Sequence, residues 1–274
     1  MSDVPQSFFV RDGEHLRATV LTRGPWDDAH QHGGPPAALL AGAIARAEPE
    51  ADAFRLARLM VEFLRPVPIE GALEVQCAAR RAGRQAQRID ATLLADGVEV
   101  ARAFGLRLRT EAIGVTAGAA ARIMPPPDTA PSHKFSFFRT EPAYHTAVDV
   151  RMVEGRWGAV PIGAWGRARV PLVLGERTTP VERTIIFADA ESGVGPPLDP
   201  KAFAFVNPDL TVYFARAPEG EWIGMRVSSH ASADGIGLAE SELFDERGPF
   251  GRAAQALFIR PRPTRKTMPP PLPG

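Results

Sequence analysis

Apolar and polar residues alternate along most of this chain, and only two stretches break into helical spacing. Leu59-Met60-Val61-Glu62-Phe63-Leu64-Arg65-Pro66 has the two-residue period of a strand and stops at a proline. The same reading predicts strands near Phe8 to Val10, Leu16 to Leu21, and residues 54–65, 71–82, 84–95 and 98–109. Ala82-Gly83 and Asp96-Gly97 form the hairpin turns. Between them, Leu39, Leu40, Ala43 and Ile44 recur at helical spacing, which predicts a helix over Pro35 to Ala47. Pro35 and Pro36 suit its first turn, where no amide hydrogen is needed.

The second half repeats this order. Strands are expected near Ala143 to Val153 and Ile162 to Leu172, a helix over Pro180 to Ser192 ending at Gly193, and a four-strand run over 207–260. Individual positions also correspond. Val61, Phe63 and Arg65 match Val212, Phe214 and Arg216, and Ala101-Arg102-Ala103 matches Gly251-Arg252-Ala253. A nearly constant shift points to a duplicated unit. The expected division is a first repeat over 1–110, a Pro/Gly/Ala-rich linker over 111–140, a second repeat over 141–262 and a disordered tail over 263–274. Each repeat reads as α+β, one helix packed on a long antiparallel sheet.

Composition narrows the function classes. The 274 residues carry 32 Lys plus Arg against 32 Asp plus Glu, so no charge excess favours nucleic acid or an anionic membrane. Hydrophobic residues make up 45 %, enough for a sizeable core. The single cysteine, Cys77, excludes an intramolecular disulfide, and its place in an alternating strand predicts a small buried core residue. No apolar run is long enough to span a membrane, and the N-terminus lacks signal-peptide character. A cytoplasmic protein is expected.

Two polar residues stand where apolar ones belong. Asp189, in Thr184-Ile185-Ile186-Phe187-Ala188-Asp189, shares a helix face with Ile185 and Ile186. Gln255, in Ala253-Ala254-Gln255-Ala256-Leu257-Phe258-Ile259, points with Ala253, Leu257 and Ile259. An inward carboxylate is costly unless it is paired or used, and Arg183 is the nearby candidate for a merely structural pairing. His30 and His32 resemble a metal pair but lack a third ligand, so no metal is expected. Asn207 before Pro208 reads equally as a turn residue, and Asp209 as a cap at a strand entry. Arg65 and Arg216 are strand-end cations that suit phosphates or plain solvation.

Gln31-His32-Gly33-Gly34 opening an apolar helix, followed by a strand ending Phe63-Leu64-Arg65-Pro66, resembles the acyl-CoA thioesterases of the hotdog fold. The tandem order resembles the double-hotdog, thioesterase II type, over about residues 8–261. The resemblance implies a catalytic water held by a helix Asp, a hydroxyl residue and a Gln on the final strand. Those positions fall on Asp189, Asn207 and Gln255; Asn207 departs from the family in carrying no hydroxyl. His32, Gly33 and Gly34 fall where the oxyanion and substrate would bind. The first repeat lacks the set, because its helix has no acid and Gly105 occupies the register of Gln255, so one site per chain is implied.

The implied reaction is hydrolysis of an acyl-CoA thioester to free acid and coenzyme A in fatty acid metabolism, with no cofactor, by a homo-oligomer such as a dimer. Asp189 would take a proton from water, and backbone N–H groups at Gly33 and Gly34 would bind the developing oxyanion. Direct attack by Asp189 on the thioester is a variant of the same chemistry. Two rivals remain at this stage. A hotdog hydratase or dehydratase would need a His with an acidic partner, and neither His145 nor His230 has an evident one. A non-catalytic acyl-CoA-binding protein would keep the fold alone.

Overall fold

The computed structural model describes residues 4–47, 53–114 and 123–262. The expected tail over 263–274, and residues 115–122 of the expected linker, lie outside the described residues.

The first half forms strands β1 (Phe9–Asp12), β2 (His15–Ala18), β3 (Phe54–Phe63), β4 (Leu73–Ala82), β5 (Ala86–Ala95) and β6 (Val98–Arg109), with helix α1 (Gly34–Arg46). The second half begins with a single helical turn, α2 (Tyr144–Ala147), where a strand was expected to start; the Thr146 hydroxyl bonds the Ala143 carbonyl there. Then come β7 (Val148–Glu154), β8 (Ile162–Ala168), helices α3 (Pro180–Ala188) and α4 (Glu191–Val194), and strands β9 (Phe203–Val206), β10 (Asp209–Phe214), β11 (Ile223–Ala231), β12 (Ile236–Asp245) and β13 (Gly248–Pro261).

Twelve strands form one antiparallel path in the order β1-β2-β4-β5-β6-β3-β10-β13-β12-β11-β8-β7, and β9 pairs on β13. The halves join through their matching strands. Leu59 faces Val212 and Val61 faces Leu210, with Met60 opposite Thr211. Because Val61 corresponds to Val212, this register places a pseudo-twofold axis at Met60 and Thr211.

The sheet wraps around α1 and α3. Ala37, Ala38, Leu40, Ala41 and Ile44 of α1 are fully buried, as is Ile185 of α3. Glycines in the sheet admit the helix side chains. A Cβ on Gly105 would lie 2.3 Å from Ile44, and one on Gly166 the same distance from Phe187. The helices also meet each other closely, since a Cβ on Gly34 would lie 2.4 Å from the Ile186 carbonyl oxygen. Arg107 is fully buried and donates to the carbonyls of Ile44, Ala45 and Ala47, where a cation complements the C-terminal end of α1.

The structure corrects two expectations. Cys77 is exposed, because β2 pairs with β4 only at Leu16 and Leu73 and leaves the rest of β4 as a sheet edge. The helix expected over Pro180 to Ser192 is two helices, broken at Asp189 and Ala190. Asp189 is therefore the C-cap of α3, and its carbonyl, an orphan of the helix end, faces the Gln255 amide at 3.5 Å.

Candidate active site

The site forms where the N-terminus of α1 meets the C-terminus of α3. The entry loop is pinned by its backbone: Gln31 N–H donates to the Val67 carbonyl at 2.8 Å and His32 N–H to the Thr22 carbonyl at 2.7 Å. Only glycine fits beside the acid. A Cβ on Gly33 would lie 2.9 and 3.0 Å from the two Asp189 carboxylate oxygens and 2.7 Å from Phe63. The carboxylate is thus seated at the positive end of α1, where the helix dipole favours an anion.

Asp189 is 4 % exposed, and each of its oxygens has a polar side chain beside it. Asn207, on the turn between β9 and β10, donates from Nδ2 to Oδ1 at 2.8 Å and also to the Asp209 carbonyl at 3.1 Å. Asn207 therefore supplies a donor to the acid, as a hydroxyl in its place would. His32 Nδ1 lies 3.0 Å from Asp189 Oδ2. The same nitrogen lies 3.2 Å from the Gly34 amide, so it serves Gly34 as acceptor or Asp189 as donor, one at a time. The His32 ring stacks on Tyr144 with centroids 3.8 Å apart and planes 5° apart. Tyr144 donates its buried hydroxyl to the Ile186 carbonyl at 2.7 Å. Burial, with Asp189 adding to it, holds the Tyr144 phenol well above its ordinary range, so it stays a neutral donor. Among the described residues the Gly33 amide has no hydrogen-bond partner.

Gln255 is placed differently from Asn207. It is 1 % exposed on β13, behind the acid, and its Nε2 donates to Glu191 Oε2 at 3.2 Å as well as facing the Asp189 carbonyl. Its contact is with the backbone of Asp189 rather than the carboxylate. Its Oε1 is buried without a partner among the described residues. Glu191, which no local pattern singled out, is fully buried and accepts from the Ser241 hydroxyl.

A cleft of 510 Å³ opens onto this arrangement, with Asp189, Asn207, His32 and Gly33 on its wall. Its apolar lining is rich in aromatic rings, including Trp26, Phe63, Phe135, Phe137, Phe138 and Phe258. Three of these rings come from the segment expected to be a linker, and Phe137 stacks between Trp26 and Trp157. The Phe135-Ser136-Phe137-Phe138 run was the available signal for this wall. Arg65 and Arg260 also line the cleft.

The other candidates are engaged elsewhere. Arg183 donates to the Gly220 carbonyl, and Asp209 accepts from the Ala256 amide at 2.8 Å. Arg216 clasps Asp245 through both terminal nitrogens at 2.5 Å. His30, which also lines the cleft, pairs with Asp27 at 3.4 Å, His145 pairs with Glu141 at 3.2 Å, and His230 meets Ser228. Among the described residues no cluster of three metal-binding side chains forms. Counted from the helix caps Gly33 and Thr179, Ala43 stands in α1 where Asp189 follows α3. A separate 200 Å³ cavity lies there, lined by Ala43 and by Glu182, a buried carboxylate that pairs with Arg46 at 2.7 Å.

A helix seated in a curved antiparallel sheet, duplicated about a pseudo-twofold axis, is the tandem hotdog architecture. Solved structures similar to it include a hot dog fold protein from Alicyclobacillus acidocaldarius, 18 % identical with a TM-score of 0.68 over 93 % of this chain and 96 % of that one. The acyl-CoA thioesterase II of Mycobacterium marinum is 19 % identical, TM-score 0.65, over 91 % and 94 %. The tesB protein of Mycobacterium avium subsp. paratuberculosis is 17 % identical, TM-score 0.63, over 92 % and 96 %. A comparison with curated proteins returned no match. Residues 22–108 match the acyl-CoA thioesterase N-terminal domain and residues 122–259 the acyl-CoA thioesterase C-terminal domain. The chain belongs to the acyl-CoA thioesterase family and is a thioester hydrolase. No helix among the described residues is long and apolar enough to cross a membrane.

Proposed function

We propose that this protein hydrolyses acyl-CoA thioesters with Asp189 as general base and no covalent intermediate. One observation carries the reading: a buried carboxylate on the cleft wall, seated at a helix N-terminus, with a separate partner on each oxygen. Asn207 holds Oδ1, and His32 holds Oδ2 when its Nδ1 carries the proton, which keeps the carboxylate on the cleft wall. In the attack, water adds to the thioester carbon as Asp189 takes its proton. The carbonyl oxygen gains the charge, and the unpaired Gly33 amide receives it. Collapse of the tetrahedral intermediate breaks the carbon–sulfur bond, and the proton held by Asp189 passes to the departing thiolate.

Gln255 acts from behind the acid. Its Nε2 steadies the Asp189 carbonyl, and its unpartnered Oε1 is the acceptor left for a hydrogen of the bound water. The aromatic wall takes the acyl group, which needs apolar surface, and Arg65 and Arg260 suit the phosphates of coenzyme A. At the place for a second site Ala43 stands where the acid would be and the neighbouring carboxylate, Glu182, is paired with Arg46, so one site serves the chain.

The test is free-thiol release from a panel of acyl-CoAs by the wild type and Asp189→Asn. The variant keeps the shape and loses the base, so kcat should fall by about 10²- to 10⁴-fold. Asp189→Asn with undiminished turnover ends the reading. The His32–Asp189 contact also supplies the His-and-acid pair that a hydratase needs. Hydration of an enoyl-CoA without thiol release would favour that chemistry, and binding without turnover a carrier role.

A further inference from the structure

Glu191 is a buried carboxyl that the proposed reaction does not use. It lies on α4 with no exposed surface, and among the described residues no Lys, Arg or His is within ion-pair distance of it. Burying such a group costs several kcal/mol more than burying an apolar one of similar size, unless its hydrogen bonds compensate. Both of its oxygens are spoken for. Ser241 donates to Oε1 and Gln255 Nε2 donates to Oε2 at 3.2 Å.

Those contacts decide which way the Gln255 amide points. Glu191 Oε2 and the Asp189 carbonyl are both acceptors on one side of it, and they hold Nε2 there. A flipped amide would set its own oxygen against two acceptors. We propose that Glu191 is a positioning residue, which with Ser241 fixes the Gln255 amide so that Oε1 is kept as the acceptor for the attacking water. The proposal rests on the reading of Asp189 as the base.

The charge state of Glu191 gives the inference its own signature. Burial pushes its carboxyl up to about 8, with the charges of Asp189 and Glu240 adding to the rise and the hydrogen bonds from Ser241 and Gln255 opposing it. The strand side chains that meet it are Ser241 on β12 and Gln255 on β13, both neutral, with the Glu240 charge on β12. At neutral pH Glu191 therefore carries a proton; on Oε1 it reverses the Ser241 contact, with Oε1–H donating to the Ser241 oxygen, and Oε2 stays an acceptor. Above about pH 8 it adds a second buried anion beside Asp189, where the transition state is itself gathering negative charge.

The experiment measures kcat and KM by thiol release from about pH 6 to about pH 9.5, for wild type, Glu191→Gln, Glu191→Ala, Ser241→Ala and Asp189→Asn. Glu191→Ala should lower kcat by on the order of 10²-fold, the scale of a misplaced catalytic group, with KM changed by less than about threefold. Glu191→Gln mimics the neutral acid; it should keep the wild-type kcat near pH 7 and lose the decline above about pH 8. Wild-type rates and an unchanged alkaline limb in both Glu191 variants, with Asp189→Asn inactive, overturn the role of Glu191 and leave the base assignment standing. An active Asp189→Asn overturns both. If Glu191→Ala fails to fold, the alkaline limb of Glu191→Gln decides, and Ser241→Ala should reduce kcat in the same direction.

Discussion

Replacing Gly33 by alanine probes the point where the two repeats meet the chemistry. The backbone tolerates it, since Gly33 has φ −64° and ψ −24°, ordinary for any L residue. The added methyl is the whole perturbation. It would lie 2.9 Å from one Asp189 oxygen and 2.7 Å from Phe63, inside normal contact with both. Carbon–heavy-atom contacts relax near 3.5 Å, so the carboxylate must retreat by about 0.5 Å. It then leaves the position set by Asn207 and His32 and moves off the helix terminus. A misplacement of about 1 Å costs around 10²-fold in rate, so about half of that predicts a drop in kcat near tenfold. KM should change less than kcat, because Phe63 is the only ring of the aromatic wall that the methyl meets and the cleft arginines are untouched. Stability should fall by under about 1 kcal/mol, the cost of alanine at a helix N-cap. The assay is thiol release from an acyl-CoA, run beside a urea melt. Gly34→Ala is the contrasting case. Its Cβ would meet the backbone oxygen of Ile186 at 2.4 Å, which cannot swing aside, so folding rather than turnover should suffer, by about 3 kcal/mol. A Gly33→Ala protein that melts normally and keeps full kcat refutes the placement of the base.

Other consequences can be measured directly. In single turnover in H₂¹⁸O, a water attack places the label in the released acid at once; label accumulating in the Asp189 carboxyl, seen by peptide mass, would mean direct attack instead. Tyr144→Phe leaves the Ile186 carbonyl buried without its donor, so stability should fall by about 1–3 kcal/mol in a denaturant titration while the ring still stacks on His32. Stability should also depend on pH through Glu191. The native state holds its proton up to about 8 and the unfolded chain releases it near 4.5, so the contribution is complete below the lower value and is lost as pH rises toward the upper one. Urea midpoints at about pH 5 and about pH 9 should therefore fall further for wild type than for Glu191→Gln; equal slopes would contradict the burial of a protonated acid.

Local pattern carries a large part of this molecule. Strand alternation located β3 to β6, the first helix is α1 within a residue at each end, and the matching strands Leu59–Arg65 and Leu210–Arg216 are the pair that joins the halves. Asp189 and Gln255 could be singled out because a polar group in an apolar run is conspicuous in one dimension. The break in the second helix was not legible, because no Gly or Pro marks it; the Gln255 amide, 66 positions away, meets the freed carbonyl. Cys77 was misread because alternation shows two faces of a strand but not that the strand lies at the open edge of its sheet.

The order and period of the residues alone pointed to a duplicated α+β chain with two polar misfits in its second half, since repetition and side-chain alternation are properties of a single line of residues. Only the tertiary structure decided which groups share a site. It set His32 from the first repeat against Asp189 from the second, drew three rings of the expected linker into the cleft, and put Glu191 behind Gln255. Contacts between distant segments depend on how helices and sheet close over one another, and the glycines at 33 and 34 show their purpose only once the second helix lies beside them.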